Sequence, residues 1–577
     1  MTATPHAYLP PALEHGRAWG FAVNLYAVRS SRNWGIGDFT DLQALVAWSA
    51  SIGADIVGLN PLHALHYVDP DAASPYGPTS RYFLNPIYLD IEAVPEFAAD
   101  QAAARALRER VASRAFVETL DALRATTHVQ YGRVARAKWS ALEALYNIFR
   151  MTKGQRREAF RAFAERRGER LERFAIYEAL TEHFATKNGQ VRGWLTWPQD
   201  YRDVTSPTVR EWAAKARRRV DYFKFLQFLA DEQLRAAASA AHVLAIGLYL
   251  DCAVGSDVNS ADVWSDPGAF IIDETLGAPP DPLGPLGQNW GLPAPDPAAM
   301  LRDDGLSFRE LLTANMTYAG ALRLDHVMAL FRLFRIPRGK TAAEGVYVAY
   351  PFEELVEFAS TASRSARCLF VGEDLGSIPD GFRERMERAG IFSYRLLLFE
   401  RRQDGEFLSP ATYPELALAT ATTHDLPTLV GWATGRDVDA REGIGVMAKD
   451  VADDARSVRR VEASQLLAAL RVAGELDDAA FQALHRTLDA RSLEVSSYES
   501  LIRAAYRFLA ITPSRLVLVQ LDDALGEFEQ INLPGTFTEY PNWRRKSGLD
   551  IAGIASDTRI ASLAADVRIR VKGDAAR

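Results

Sequence analysis

The sequence has few cysteines and no excess of positive charge. Only two cysteines, Cys252 and Cys368, occur in 577 residues, and they stand far apart in the chain. A disulfide framework and a cysteine-based metal cluster are therefore excluded. The chain carries 66 Lys and Arg residues against 74 Asp and Glu residues, a formal net charge of −8. Nucleic acids and anionic membrane surfaces attract basic proteins, so we expect neither as a partner.

The sequence also lacks an apolar segment that is long enough to cross a bilayer. The run 243–250 ends at Asp251, well short of the ~18 residues that a spanning helix requires. The first residues contain no basic start followed by an apolar core, so we predict no signal peptide. Together these features predict a cytoplasmic protein.

Eight short apolar segments are present, and most of them end in polar or charged residues. Continuous apolar runs of this length are typical of strands that are buried on both faces of a parallel sheet. The segments cover 19–28, 54–62, 243–250, 321–324, 368–371, 392–399, 417–423 and 515–521.

Helical patterns lie between several of these segments, as at 39–52, 352–361 and 382–389. Alternation of strands and helices indicates an α/β architecture. Eight such strands with polar C-terminal ends predict a (β/α)8 TIM barrel whose site lies at that end of the strands. An open, doubly wound sheet is the alternative that the pattern leaves.

Two helical regions exceed what a minimal barrel needs, and we interpret both as insertions into one catalytic barrel domain, residues 1–577. The first covers about 95–240, between the second and third strands, and the second covers about 440–510. Apolar residues in the first insertion recur at helical spacing on one face. They include Leu142, Leu145, Tyr146 and Phe149, and again Tyr222, Phe225, Leu226 and Leu229.

A third insertion, about 264–304, differs in composition because it is rich in proline and glycine, above all at 277–293. This composition predicts a long loop. At the catalytic end of a barrel such a loop is typically a lid or a wall of the substrate site.

Three of the predicted strand ends carry acids, namely Asp325, Glu373 and Asp425. A barrel gathers its strand ends around one mouth, so residues that are remote in sequence meet there. Basic side chains flank two of the acids, which are preceded or followed by Arg323, His326 and His424. Acids that only cap strand ends or helices are the alternative interpretation.

Three carboxylates without a cysteine or a histidine cluster suit glycosyl transfer. One carboxylate attacks the anomeric carbon and a second protonates the leaving oxygen, at a separation of ~5–5.5 Å when configuration is retained. A third carboxylate can stabilise the positive charge of the transition state. Tyr76 and Trp290 lie in predicted loops, where aromatic rings can stack on sugars, although core packing is the commoner role of such rings.

Several longer motifs make the chain similar to a known family. They are Ser31-Arg32-Asn33-Trp34-Gly35-Ile36-Gly37-Asp38, Asn532-Leu533-Pro534-Gly535-Thr536 and Tyr540-Pro541-Asn542-Trp543-Arg544, together with 74–90, 277–293, 320–326, 372–376 and 422–427. Through them the chain resembles the 4-α-glucanotransferases (amylomaltases, or disproportionating enzymes) of glycoside hydrolase family 77, which are relatives of the α-amylases. The resemblance covers nearly the whole chain.

The resemblance implies roles for particular residues. Asp325 would be the nucleophile that forms a covalent glycosyl-enzyme, Glu373 the general acid and then base, and Asp425 the transition-state stabiliser. Substrate-binding positions carried over in the same way are Tyr76, Asp251, Trp290, Arg323, His326, His424 and Asn532.

The same resemblance implies a substrate and a reaction. An α-1,4-glucan would be the donor and the 4-hydroxyl of glucose or a maltodextrin the acceptor, with retention through a double displacement. No metal and no other cofactor would take part. The motifs do not predict an oligomeric state.

Three other functions fit parts of the pattern. An α-1,4-glucan hydrolase on the same fold would use the same acids, with water as the acceptor. A divalent-metal hydrolase or lyase on a barrel could take its ligands from the acids and histidines. These would be Asp325, His326, Glu373, His424 and Asp425. A glucan-binding protein without activity is the third alternative, although it leaves the three acids unexplained.

Overall fold

In the computed structural model, which describes residues 6–188, 193–280 and 286–573, eight parallel strands form one sheet. Their order is β5-β4-β3-β2-β1-β8-β7-β6. The strands are β1 Ala18–Val23, β2 Ile56–Leu59, β3 Gly247–Cys252, β4 Ala321–Leu324, β5 Leu369–Gly372, β6 Ser393–Leu396, β7 Ala417–Thr420 and β8 Leu516–Gln520.

The two outer strands of this order, β5 and β6, meet and close the sheet. A parallel bridge joins Val371 to Phe392. The N–H of Gly372 donates to the Phe392 carbonyl at 2.8 Å, and the N–H of Phe392 donates to the Phe370 carbonyl at 3.0 Å. The predicted (β/α)8 barrel is thereby confirmed, and the open sheet is excluded.

Each predicted apolar segment overlaps one barrel strand, and the third segment shows the largest difference. The apolar run predicts a strand that begins at Val243, but that residue lies in a 3-10 turn, Ala241–Val243, and is 69% exposed. The turn directly continues the helix Arg217–Ala240, so the chain enters the sheet only at Gly247.

Side chains that point into the barrel alternate with side chains that point outward. Tyr249 of β3 and Ala321 of β4 belong to an apolar cluster that fills the barrel interior. Gly58 of β2 makes room for the Tyr249 ring, since a Cβ there would come within 2.8 Å of it. The next inward positions toward the mouth, two residues further on, are Asp251 and Arg323.

Outward-facing strand residues such as Trp19, Phe21 and Val57 pack against the surrounding helices. Helix Phe39–Ser51 is N-capped by Asp38, whose side chain accepts hydrogen bonds from the N–H groups of Thr40 and Asp41. The helices that surround the barrel are Phe39–Ser51, Arg217–Ala240, Arg302–Met316, Phe352–Ala366, Phe382–Arg388, Glu499–Ala510 and Thr558–Lys572.

The expected insertion at about 95–240 consists mainly of helices over its described residues, and its residues 189–192 lie outside them. Its apolar face joins the same continuous core as the outer surface of the barrel, since Leu142, Tyr146 and Phe149 are buried with Trp19 and Phe21. The helices before Arg217 are Ala102–Ala112, Arg114–Ala125, Tyr131–Met151, Gln155–Asn188 and Pro207–Lys215.

The region between β7 and β8 contains Leu429–Thr434, Arg436–Gly443, Lys449–Val472 and Asp478–Asp489. Shorter elements complete the fold: the helices Pro11–Glu14, Ala261–Ser265, Pro297–Met300, Leu521–Leu525 and Ile551–Ser556, and the strand pair His63–Ala64 and Ser80–Leu84. In the described part of the chain, every helix is too short or too polar to traverse a bilayer.

The segment 264–304 is not the loop that its composition predicts. It contains an antiparallel hairpin, Phe270–Ala278 and Gln288–Pro295, in a four-stranded sheet completed by Arg332–Pro337 and Val346–Ala349. Residues 281–285 of the expected loop lie outside the described residues. Gln288–Pro295 is an edge strand of this sheet, where proline costs no ladder hydrogen bond, so a proline-rich sequence forms a strand.

Candidate active site

Arg323 lies at the centre of the barrel mouth and contacts two neighbouring side chains there. The parallel register places it beside Asp251. Arg323 Nη1 donates to both oxygens of that carboxylate at 2.8 Å. The Tyr76 hydroxyl donates to Asp251 Oδ2 at 2.6 Å and accepts from Arg323 Nη1 at 3.3 Å. The Asp251 carboxylate is therefore fully engaged by protein groups.

The other terminal nitrogen of Arg323 faces two of the three candidate acids. Nη2 lies 2.9 Å from Asp325 Oδ1 and 4.0 Å from Glu373 Oε2. Below the guanidinium lies the ring of Tyr394, with its centroid 5.7 Å from the Arg323 carbon Cζ. One buried cation thus holds the two acids next to each other.

Main-chain N–H groups fix the Glu373 carboxylate. The N–H of Leu375 donates to Oε1 at 2.6 Å, and the N–H of His326 donates to Oε2 at 2.9 Å. His326 adopts a left-handed backbone conformation with φ 48°, which is uncommon for a residue other than glycine. This conformation directs its N–H toward the acid.

Burial dominates the protonation of these two acids. It raises the pKa of Glu373 to about 7, although Arg323 and the two N–H donors oppose it. Burial likewise raises the pKa of Asp325 to about 6, again against Arg323. At neutral pH the geometry therefore favours an ionised Asp325 beside a Glu373 that is partly protonated.

Asp425 has different surroundings, since its side chain is 50% exposed. Asn532 Nδ2 donates to its Oδ1 at 2.7 Å, and His424 Nε2 lies 3.2 Å from its Oδ2. Burial acts to raise the pKa of Asp425, but His424 and Asn532 outweigh it and lower the pKa to about 2. Burial also acts to lower the pKa of His424, and the Asp425 carboxylate reverses this, so the net shift is upward.

Aromatic rings border the mouth on two sides. The His424 ring stacks on Tyr76 with centroids 4.8 Å apart and contacts Trp543 at 5.1 Å. On the opposite side Trp290, from the edge strand Gln288–Pro295, approaches His326 edge-on at 5.1 Å. All ten residues named from the sequence as candidate site residues therefore gather around one opening.

Known proteins resemble this chain in sequence and in fold. A family model described as 4-alpha-glucanotransferase matches residues 23–550. The chain belongs to the 4-α-glucanotransferase family. As a member of that family it is an enzyme of the glycosyltransferase type, EC 2.4.1.25.

Individual 4-α-glucanotransferases align over most of the chain. The protein from Haemophilus influenzae is 38% identical across 96% of this chain and 78% of its own length. The protein from Mycobacterium bovis is 36% identical across 97% and 76%.

Solved amylomaltase structures superpose on the fold. The crystal structure of amylomaltase from Corynebacterium glutamicum gives a TM-score of 0.83 at 31% identity, covering 97% of this chain and 76% of that one. The Streptococcus agalactiae amylomaltase in complex with acarbose gives 0.72 at 18% identity, covering 97% and 100%, and this likeness supports the fold alone.

The site of this family member also contains residues that the sequence reasoning did not select. Tyr394 lies under Arg323, and its N–H donates to Asp374 at 2.8 Å. Trp543, which contacts His424, lies in the motif 540–544, which indicated the family but no role for this ring. His63 Nε2 accepts from the Ala253 N–H at 3.2 Å and so holds the chain just after β3. The inward alternation of β6 would have indicated Tyr394.

The alternative metal site receives no support from the geometry. Across the ranges 6–188, 193–280 and 286–573, no group of three or more His, Cys, Asp or Glu side chains is arranged to hold a metal ion. Asp325 and Glu373 are instead held by a guanidinium and by main-chain N–H groups.

Proposed function

We propose that this glucanotransferase moves a segment of an α-1,4-glucan to the 4-hydroxyl of glucose or of another glucan, with retention of configuration. The observation that carries the proposal is the pair Asp325 and Glu373, held beside one another by Arg323 in different hydrogen-bonding environments. A cytoplasmic location, as expected from the sequence, is part of the same proposal.

In the first step Glu373 donates its proton to the glycosidic oxygen while an oxygen of Asp325 attacks the anomeric carbon. The bond from carbon to the leaving glucan breaks, and an ester between Asp325 and the sugar forms. In the second step Glu373, now ionised, takes the proton of the incoming 4-hydroxyl. That oxygen displaces Asp325 and restores the α-linkage.

Asp425 supplies negative charge where the sugar becomes positive. His424 and Asn532 keep its carboxylate ionised and oriented, which stabilises an oxocarbenium-like transition state. The exposure of Asp425 leaves it free to contact sugar hydroxyls.

The remaining residues position the reacting groups. Asp251 acts through Arg323 and Tyr76, since both of its oxygens are already bound. Tyr76 and Trp290 offer ring faces to the sugars on either side of the acids. The hairpin that carries Trp290 forms a wall of the acceptor site, and we place there the preference for a sugar acceptor over water.

The decisive experiment is incubation of the pure protein with maltotriose in buffer that contains EDTA, with products resolved by chain length. A ladder of longer maltodextrins together with glucose is the expected result. Maltose and glucose alone would identify a hydrolase. Loss of activity on addition of EDTA would revive the metal alternative.

The Asp325→Ala variant separates catalysis from binding. It should form no ladder, because the carboxylate that attacks the sugar is gone, yet it should bind maltodextrin with an affinity near that of the wild type. Isothermal titration with a long maltodextrin measures the affinity. Full activity in this variant would contradict the assignment of the nucleophile.

A further inference from the structure

Phe537 is a large apolar side chain that the fold leaves in solvent. It is 84% exposed. Two other aromatic side chains in the described part of the chain are exposed, Tyr347 and Phe399, at 39% and 37%. The fold gains little burial from Phe537, so its ring remains accessible to a ligand.

The turn under Phe537 is held by hydrogen bonds on both sides. The N–H groups of Phe537 and Thr538 donate to Glu539 Oε2 at 2.8 and 3.0 Å. Asn542 Nδ2 donates to the carbonyl and the hydroxyl of Thr536 at 3.1 and 2.9 Å. The ring is therefore carried by an ordered backbone, which reduces the entropy lost when a ligand contacts it.

The same segment reaches the reacting groups at its other end. Asn532 donates to the Asp425 carboxylate at 2.7 Å, and Gln530 Nε2 donates to the Asp425 carbonyl at 3.0 Å. Even a fully extended chain from Asn532 to Phe537 spans no more than ~18 Å. Phe537 is therefore within a few sugar residues of the acids.

The position around the barrel indicates which part of the glucan passes Phe537. Glu373, directly after β5, protonates the leaving oxygen in the proposed reaction, so the leaving glucan lies on that side, next to His326 and Trp290. The segment with Phe537 follows β8, four strands away from β4 in the barrel order. A donor segment that stays on Asp325 and extends away from the leaving side runs in this direction.

We propose that Phe537 is an aromatic platform for a distal sugar of the donor segment that remains on the enzyme. The inference rests on the proposed transfer reaction. Phe537 thereby favours donors that are long enough to reach the ring, and it sets the length of the transferred segment. It does not touch the reacting atoms, so the chemical step itself does not depend on it.

The test compares Phe537→Ala with wild type on a short and a long donor. With maltoheptaose the KM should rise about 3- to 10-fold, the range that corresponds to loss of one aromatic contact, while kcat stays unchanged. With maltotriose, which is too short to reach the ring, both constants should stay unchanged. Phe537→Trp, which keeps an aromatic ring, should have a maltoheptaose KM near that of the wild type.

Val472→Ala is the matched control, because Val472 is 89% exposed at the end of helix Lys449–Val472. It should change neither donor's KM. An unchanged maltoheptaose KM in Phe537→Ala, or an equal rise for both donors, would overturn the inference. Failure of the wild type to form a ladder from maltotriose would instead overturn the proposed function.

Discussion

The two sides of the barrel mouth treat the same chemical group in opposite ways. On the side of β4 and β5, Glu373 is buried and receives hydrogen bonds from main-chain N–H groups, and its pKa rises to about 7. On the side of β7 and β8, Asp425 is half exposed and faces His424 and Asn532, and its pKa falls to about 2. Environment, not residue type, thus sets the two pKa values apart, as the proposed division into a proton donor and an anion requires.

The largest effect should come from Glu373→Gln, which removes the proposed proton donor and keeps the shape of the side chain. We expect kcat/KM on maltotriose to fall ~10²- to 10⁴-fold, the usual contribution of general acid catalysis. Glu178→Gln is the matched control, since Glu178 is another buried glutamate with a raised pKa. Its activity should remain that of the wild type.

The pH profile of the wild type tests the same side of the mouth. Activity should rise as Asp325 loses its proton near pH 6 and fall as Glu373 loses its proton near pH 7, which gives a narrow bell. The two limbs belong to the pair, because the acids interact. A flat profile between pH 5 and 8 would contradict this assignment.

A smaller effect is expected on the other side of the mouth. Asn532→Ala removes one hydrogen bond to the Asp425 carboxylate, so kcat/KM should fall about 10- to 100-fold, in line with the ~1.5–3 kcal/mol of a charged hydrogen bond. The limbs of the pH profile should not move, because Asp425 would still titrate below Asp325. Asn147→Ala, which removes a surface amide bonded to Arg218, should leave kinetics unchanged.

Movement of the acid limb in Asn532→Ala would show that Asp425, and not Asp325, controls it. Such a result would contradict the assignment of a low pKa to Asp425 and a raised pKa to Asp325.

The smallest expected effect is on the thermal stability of Glu178→Gln, which tests the effect of burial on a glutamate outside the active site. Burial raises the pKa of Glu178 to about 8. The free energy of unfolding therefore falls as the pH rises from the ordinary pKa of a glutamate toward 8. Glu178→Gln lacks this loss. Its Tm should match the wild type near pH 4 and exceed it by about 2–4 °C at pH 8, as measured by calorimetry. A Tm difference that does not depend on pH would contradict the raised pKa.

Sequence alone was sufficient for the barrel because its signal is local. A buried parallel strand is a continuous apolar run, and each of the eight runs carries that signal. The acids followed from the same logic, since Asp325 and Glu373 stand directly beyond the ends of β4 and β5. Topology then brings such ends together without any information on loops.

The contacts that depend on non-local pairing were not predictable in this way. Trp290 reaches His326 because its strand, Gln288–Pro295, pairs with Phe270–Ala278. Phe270–Ala278 pairs in turn with Arg332–Pro337, a strand that no continuous apolar run marked. Asn532 was carried over by resemblance, and its bond to Asp425 depends on the path of the chain after β8. Val243 shows the opposite error. Its apolar side chain predicts the start of a strand, but the residue lies in the 3-10 turn that continues the preceding helix.

The hydrogen bond from His326 to Glu373 has a consequence for mutation at this position. Its donor is the main-chain N–H, so among the twenty amino acids only proline lacks it. Neutral residues that tolerate φ 48°, such as glycine and asparagine, could replace His326 and leave this bond in place. A codon-randomised library at position 326 would therefore vary the side chain beside Trp290 while the main-chain hydrogen bond to Glu373 is kept.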